Sequence, residues 1–387
     1  MRNNLIILAT SVLLFGMVLG VMGPGVAYAA PAAANHGVVI NEIRIDQPSS
    51  DNDEYFELIG PVGASLDDMT YIVIGDGPGG SGVVEAVVDL DGNAIPARGY
   101  FVAAESSFTL GTADLITDLN FENSDNVTHL LVKDFEGEKN DDLDTNDDGL
   151  LDVTPWSEIV DLIALIEEQN PPSGTEFHYG PPSLGPDYKY VPGHAYRCPS
   201  WWEIGEYDPV GVTDTPGEAN ECPDLLTIME IQGDGQWSPY QWDFVTTSGV
   251  VTMISGDHFW FQDPEGDSDN STSDGIYVYR GKRYLDLIVG DKIYITARVK
   301  EYVSSSRPTD LPLTELEFVT SIMIESYGHT LPEPVELEDV PNVSIPEGID
   351  FYESLEGMLV YLRNAPVVSG TSYYGEFAVL AKDDAKP

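Results

Sequence analysis

The sequence has 387 residues and a formal charge of −49, from 66 acidic and 17 basic side chains. That acidity excludes general electrostatic attachment to nucleic acid or anionic lipid and is compatible with calcium binding or a saline setting. An apolar fraction of 42%, with 20 Tyr, 13 Phe and 6 Trp, excludes a wholly disordered chain, and the length leaves room for two or three domains.

The chain opens Met1-Arg-Asn-Asn, runs apolar over 5–21, and reaches Ala27-Tyr28-Ala29. A positive start, an apolar middle and a small-x-small site make a secretory signal peptide. Residues 1–29 are therefore expected to be cleaved, and the remainder to work secreted, extracellular or at the cell surface. No later run is apolar enough to span a bilayer. In that oxidising setting Cys198 and Cys222, the two cysteines, are expected to be joined.

Residues 36–222 read as one all-β unit. Strand-like runs recur over 37–45, 54–59, 69–74, 83–90, 100–104 and 129–133, separated by turn formers such as Asp76-Gly77 and Asp91-Gly92. Short strands with regular turns predict a sandwich or barrel. The run 161–166 suits a strand or a helix, and 169–193, crowded with Pro and Gly, predicts a long loop. A hinge over 223–226 leads to a second unit, 227–332, with strands over 243–254, 259–262, 275–279, 292–299 and 315–324. Five β segments in roughly 100 residues suit a small closed barrel of the oligonucleotide-binding type. Two further runs, 355–362 and 375–381, are too little to close a core, so 333–387 is expected to be an incomplete third β segment.

Two stretches carry chemistry. Asp144, Asn146, Asp148 and Asp152 stand at positions 1, 3, 5 and 9 of a loop with Gly149 at position 6, where the Leu150 carbonyl would supply position 7. Alternating oxygens in a tight loop suit a hard cation, which predicts structural calcium; Pro155 replaces the bidentate Glu of an EF-hand, as in dockerin-like or thrombospondin-like loops. The competing reading is an acidic solvated turn. The second stretch reverses the charge: Arg280, Lys282, Arg283, Lys292, Arg298 and Lys300 fall in one window with only Asp286 and Asp291. Phe259, Trp260, Phe261, Tyr277, Tyr279, Tyr284 and Tyr294 lie in or beside it. Cations among exposed rings suit a single strand, so Arg280, Lys282, Arg283, Lys300, Tyr277, Tyr279 and Tyr284 are the candidate nucleic-acid residues. The competing reading is ordinary barrel architecture, with half the rings in the core. No zinc, nucleophile-elbow or Walker spacing occurs, so no catalytic residue is assigned. Sequons at Asn126, Asn270 and Asn342 suggest surface positions.

Several runs also resemble a known architecture. Val38-Val-Ile-Asn-Glu-Ile43, Glu54-Tyr-Phe-Glu-Leu58, Ser65-Leu-Asp-Asp-Met-Thr70, Gly99-Tyr-Phe-Val-Ala103 and Thr215-Pro-Gly-Glu-Ala-Asn220 resemble a lamin-tail domain, an immunoglobulin-like sandwich. The 144–152 loop with Pro155-Trp156 resembles the version in secreted bacterial nucleases. Ile228-Met-Glu-Ile-Gln-Gly233, Ser238-Pro239, Gly249-Val-Val-Thr252, Phe261-Gln-Asp-Pro264 and Thr272-Ser-Asp-Gly-Ile276 resemble their oligonucleotide-binding-type domain, and Leu355-Glu-Gly-Met-Leu-Val360 and Gly375-Glu-Phe377 their lead-in to catalysis. The resemblance implies a parent enzyme with a metal-dependent endonuclease/exonuclease/phosphatase domain, whose G-D-x-N and S-D-H motifs are absent here. The catalytic divalent metal would belong to that missing domain. These residues are then expected to be its accessory part, for attachment and handling of single-stranded or extracellular DNA. The alternative is a non-enzymatic secreted protein for calcium-dependent binding or surface adhesion. Nothing in the sequence names a ligand for the lamin-tail-like unit.

Overall fold

A computed structural model describes residues 37–77, 79–167, 176–281, 287–306, 308–337, 345–363, 366–371 and 379. The expected signal peptide lies outside the described residues.

Among the described residues the fold is all-β apart from two short helices. The first unit contains β1 (Val39–Arg44), β2 (Tyr55–Ile59), β3 (Met69–Gly75), β4 (Val83–Asp89), β5 (Tyr100–Ala104), β6 (Leu115–Ile116), β7 (Val127–Lys133), β8 (Glu158–Leu165), β9 (Ser183–Leu184), β10 (His194–Arg197) and β11 (Trp202–Ile204). One sheet has the order β11-β10-β1-β2-β5-β6, and β9-β8-β7-β3-β4 form part of the other. Their apolar faces meet in one core, where Phe56 stacks on Tyr71 with ring centroids 3.7 Å apart. All seven residues of β3 are buried. Its other face, with Ile72 and Ile74, lies under Leu143 and Tyr179, which pack with Leu151, Trp156 and Phe177. The segment carrying the acidic loop is thus anchored by its own apolar residues. The run 161–166, open to helix or strand in sequence, lies in β8 between β7 and β9.

The second unit begins with α1 (Ile228–Gln232), then β12 (Phe244–Ser255), β13 (His258–Gln262), β14 (Gly275–Val278), β15 (Lys292–Tyr302) and β16 (Leu313–Ser326). The helix starts in a reciprocal cap: Thr227 Oγ1 accepts from the Glu230 amide at 3.1 Å, and the Glu230 carboxylate accepts from the Thr227 amide at 2.8 Å. The five strands close into a ring, β12-β13-β14-β16-β15-β12, sealed by the parallel β14–β16 pairing. Ile228 and Ile231 join Phe259, Phe261, Ile276, Val278 and Val299 in the ring's core.

The two units are continuous. Strand β16 runs past the ring and pairs with β9, Met323 opposite Leu184 and Ile324 opposite Ser183. The joining strand comes from the stretch expected to be a plain loop. Tyr294 and Met323 of the barrel join the sandwich core, while Ala164 and Ile166 join the barrel core. The expected hinge is pinned, since the Leu226 amide donates to Thr246 O at 2.9 Å.

Beyond the ring lie β17 (Val335–Glu336), α2 (Ile345–Glu353) and β18 (Val360–Tyr361), with β17 and β18 parallel. The strand expected over 355–362 is confined to Val360–Tyr361. Residues 354–358 form tight turns instead, with Gly357 at φ 73° and the Met358 amide donating to Leu355 O. The strand expected over 375–381 lies outside the described residues except for Val379.

Candidate functional site

Period-two alternation sorts the rings of the basic window. Phe259 and Phe261 point into the barrel, fully buried. Tyr294 stacks on Trp201 at the junction of the units, centroids 5.9 Å apart. His258, Trp260, Tyr277 and Tyr279 face outward as one group: Trp260–Tyr277 are 4.8 Å apart, His258–Tyr279 5.1 Å and His258–Tyr277 5.7 Å. Arg280, at φ 55°, lays its guanidinium 5.2 Å from the Tyr279 centroid. Lys300 lies over Tyr279 at 5.7 Å and Tyr302 at 5.3 Å. Four of the seven candidate nucleic-acid residues therefore share one face. Lys282, Arg283 and Tyr284 lie outside the described residues.

Strand register explains how the face is laid out. Trp260 is opposite Tyr277, Tyr277 opposite Glu315, and Glu315 opposite Lys300. A second row sets Glu317 opposite Arg298 and Arg298 opposite Phe244. Along the middle runs an ion-paired spine: Lys300 Nζ donates to Glu315 at 2.7 Å and Glu317 at 2.9 Å, and Arg298 donates to Glu317 at 2.5 Å. Burial opposes the Lys300 charge, but these two carboxylates outweigh it and raise its pKa. The spine has an aromatic shoulder on each side. On the far side Arg298 sits 5.6 Å from the Trp242 centroid and 4.4 Å from that of Phe318. Both rings are more than half exposed, and both residues have positive φ, 78° and 49°. Trp242 and Phe318 escape a sequence reading because their exposure goes with local backbone reversal, not with alternation; Phe244, exposed at the start of β12, adjoins them.

The acidic loop is ordered by its own side chains. Asp144, buried, accepts from the amides of Asp148 (3.2 Å) and Gly149 (2.8 Å) and from the Tyr179 hydroxyl (2.9 Å). Asn146 Oδ1 accepts from the Asp148 amide at 3.1 Å, and Asp148 Oδ1 from the Leu150 amide at 3.0 Å. Asp152 accepts from Thr145 Oγ1 at 2.6 Å. Gly149 turns at φ 83°. The oxygens at positions 1, 3 and 5 thus face the loop's own amides, an inward orientation that leaves lone pairs for a cation. This donor set, hard oxygens from Asp and Asn, fits calcium.

Among the described residues, the groups that bring three His, Cys, Asp or Glu side chains within 4.8 Å of one another are Glu42–His194–Asp214 and Asp76–Asp125–Glu176; the carboxylates of the 144–152 loop do not converge to that extent. The first is closed by protein partners. Glu42 contacts His194 Nε2 at 2.9 Å and accepts from the Thr215 amide, and Arg44 donates to both oxygens of Asp214 at 2.5 and 2.6 Å. Asn220 donates to Asn41 O and Arg197 O, and Gly217 to Glu57. The polar groups of the 215–220 motif therefore tie a half-buried strap across β1, with Arg44 supplying the counter-charge. In the second group burial first, then contact with Asp125, pushes Asp76 up to about 7.

Cys198 and Cys222 form the expected disulfide. The sequon residue Asn126 is fully buried, donating to Glu176 O and accepting from the Glu167 amide, so it does not mark a surface. Among the described residues no helix is long and apolar enough to cross a membrane. Residues 335–387 match a family model described as a domain of unknown function, DUF8508. No curated protein matches the chain.

Proposed function

We propose that this chain is a non-catalytic, ligand-handling part of a secreted nuclease, and that the outer face of the barrel holds single-stranded DNA chiefly by base stacking. The observation that carries the reading is the contiguous group His258, Trp260, Tyr277 and Tyr279, bordered by Arg280 and Lys300. Stacked bases contribute about 1–3 kcal/mol each whatever the sequence. The ring's strand order suits an oligonucleotide-binding barrel, and the paired sheets of the first unit suit a lamin-tail sandwich. The disulfide favours an oxidising compartment, in keeping with export. Phosphate contact is the weaker component, because Glu315 and Glu317 already hold Lys300 and Arg298. Binding is therefore weak and only modestly salt-dependent. Titrating a labelled oligonucleotide against the full chain tests this: Trp260→Ala with Tyr277→Ala should abolish binding. Undiminished binding in that variant, or none by the parent at low salt, would overturn the reading.

A second reading, calcium-dependent binding or adhesion by the first unit, is favoured by the inward-facing oxygens of Asp144, Asn146 and Asp148. The two are compatible, with calcium ordering the sandwich and the barrel handling the strand.

A further inference from the structure

The segment after α2 is seated on the end of the barrel. Ser273 Oγ donates to Glu356 O at 2.5 Å, the Thr314 amide to Glu356 Oε1 at 2.7 Å, and the Leu359 amide to Gln262 Oε1 at 3.1 Å. Gly275 and Gly357 touch backbone to backbone: a Cβ on Gly275 would lie 2.5 Å from the Gly357 carbonyl carbon. No larger residue fits there.

This seat gathers negative charge. Glu301 of β15 is 6% exposed; its Oε1 accepts from the Ser238 amide and Thr314 Oγ1, but its buried Oε2 has no partner. Thr314 thus bridges Glu301 to Glu356, and the Glu301 charge acts on both Glu353 and Glu356. The other charged groups acting on these carboxylates are Asp350 of α2 and Glu315 of β16, both acidic. Lys300 is committed to Glu315 and Glu317 on the outer face. An enclosed carboxylate oxygen without a donor, here Glu301 Oε2, is costly while ionised, and the nearby charges of Glu353 and Glu356 add to that cost.

We propose that Glu301 and Glu356, linked through Thr314, form with the neighbouring Glu353 a proton-dependent latch, which holds the 354–359 turn on the barrel while these carboxyls are protonated and releases it when they ionise. Burial first, then the charges of Glu301 and Asp350, pushes Glu353 up to about 7. Burial, then Glu353, raises Glu356 well above the carboxylate range. A carboxyl raised in the docked state binds its proton more tightly there. Docking is therefore strongest below the ordinary value of 4.5 and is lost as pH rises through about 7. Glu353 and Glu356 lie within the stretch matching the domain of unknown function, so the latch would set how that stretch is held on the barrel.

Hydrogen exchange of the full chain tests this, with rates corrected for intrinsic pH dependence. Protection of the Met358 and Leu359 amides should fall about ten-fold or more between about pH 5.5 and about pH 8.5, while amides in β12 keep theirs. Glu353→Gln alone should flatten that dependence, and Glu356→Gln should do so while retaining an acceptor for Thr314. Equal protection at both pH values in the parent, or an unchanged pH slope in Glu353→Gln, would overturn the proposal.

Discussion

Glu203, on β11 of the sandwich, accepts a 2.6 Å hydrogen bond from Thr296 Oγ1, on β15 of the barrel. The same oxygen accepts from Trp201 Nε1 at 2.8 Å and Thr246 Oγ1 at 3.4 Å. Burial raises the pKa of Glu203, and these donors oppose that shift. Removing the acceptor strands buried donors, each costing about 1–3 kcal/mol. Glu203→Ala should therefore destabilise the chain by about 2–3 kcal/mol, and Glu203→Gln by less. Because the sheet and both cores cross this junction, the parent should melt in one calorimetric transition. Two separated transitions would show that the junction does not couple the units.

Calcium should stabilise the first unit through the 144–152 loop. Mass action gives about 2.7 kcal/mol at one hundred times Kd. Asp144 is tied to Tyr179 and, through Ser81, to Phe177, so ordering should spread to the outer-face cluster around Trp156. Calorimetry should show a melting temperature that rises in millimolar calcium relative to chelator. Asp148→Ala should remove the rise. A parent that melts alike in both buffers contradicts the assignment.

Stability should decline as pH rises from 4.5 to about 8. Burial pushes Glu54 and Glu57 up to about 8 and Glu85 to about 7, from 4.5 in the unfolded chain. Each such group contributes fully below 4.5 and loses its contribution as pH climbs through 7 to 8. Asp214 acts oppositely: burial would raise it, but Arg44 and His194 hold it below 3.8, so its contribution disappears only in acid. Melting temperature should therefore peak in mildly acid buffer and fall toward pH 9, with Glu57→Gln reducing the fall. A curve flat or rising from pH 6 to 9 would count against these assignments.

Much of the fold was legible because strands such as β3, a short continuous apolar run, and β4, an alternating one, are bounded by Gly and Asp. The barrel ring was legible for the same reason, and the disulfide from two cysteines in a chain expected to be exported. Nothing local signals that β9, two residues inside a Pro-rich stretch, joins the units, since its pairing depends on Met323 and Ile324 from far along the chain. Residues 227–233 hid a helix because a five-residue element has too few turns for a period to show; only Thr227 and Glu230 signalled it. At the candidate face the basic excess was legible but its neutralisation was not. Glu315 and Glu317 lie outside the basic window and meet Lys300 and Arg298 only through antiparallel register.

That neutralisation makes the last prediction sharp. Glu317 holds Arg298 at 2.5 Å and Lys300 at 2.9 Å, and these two cations outweigh burial to depress its pKa. Glu317→Gln removes one negative charge and loosens both cations, leaving Lys300 still held by Glu315. If DNA crosses the spine between the aromatic shoulders, its phosphates should then gain one or two contacts. For single strands each neutralised phosphate steepens the plot of log affinity against log salt by about 0.7, so the slope should steepen by about 0.7 to 1.4. Affinity at low salt should rise several-fold. Tyr277→Ala should act differently, lowering affinity by a stacking increment of about 1–3 kcal/mol with the slope unchanged. Oligonucleotide titrations at four salt concentrations separate the two effects. If Glu317→Gln shifts neither affinity nor slope while Tyr277→Ala weakens binding, the strand follows the rings of β13 and β14 alone and never reaches Arg298.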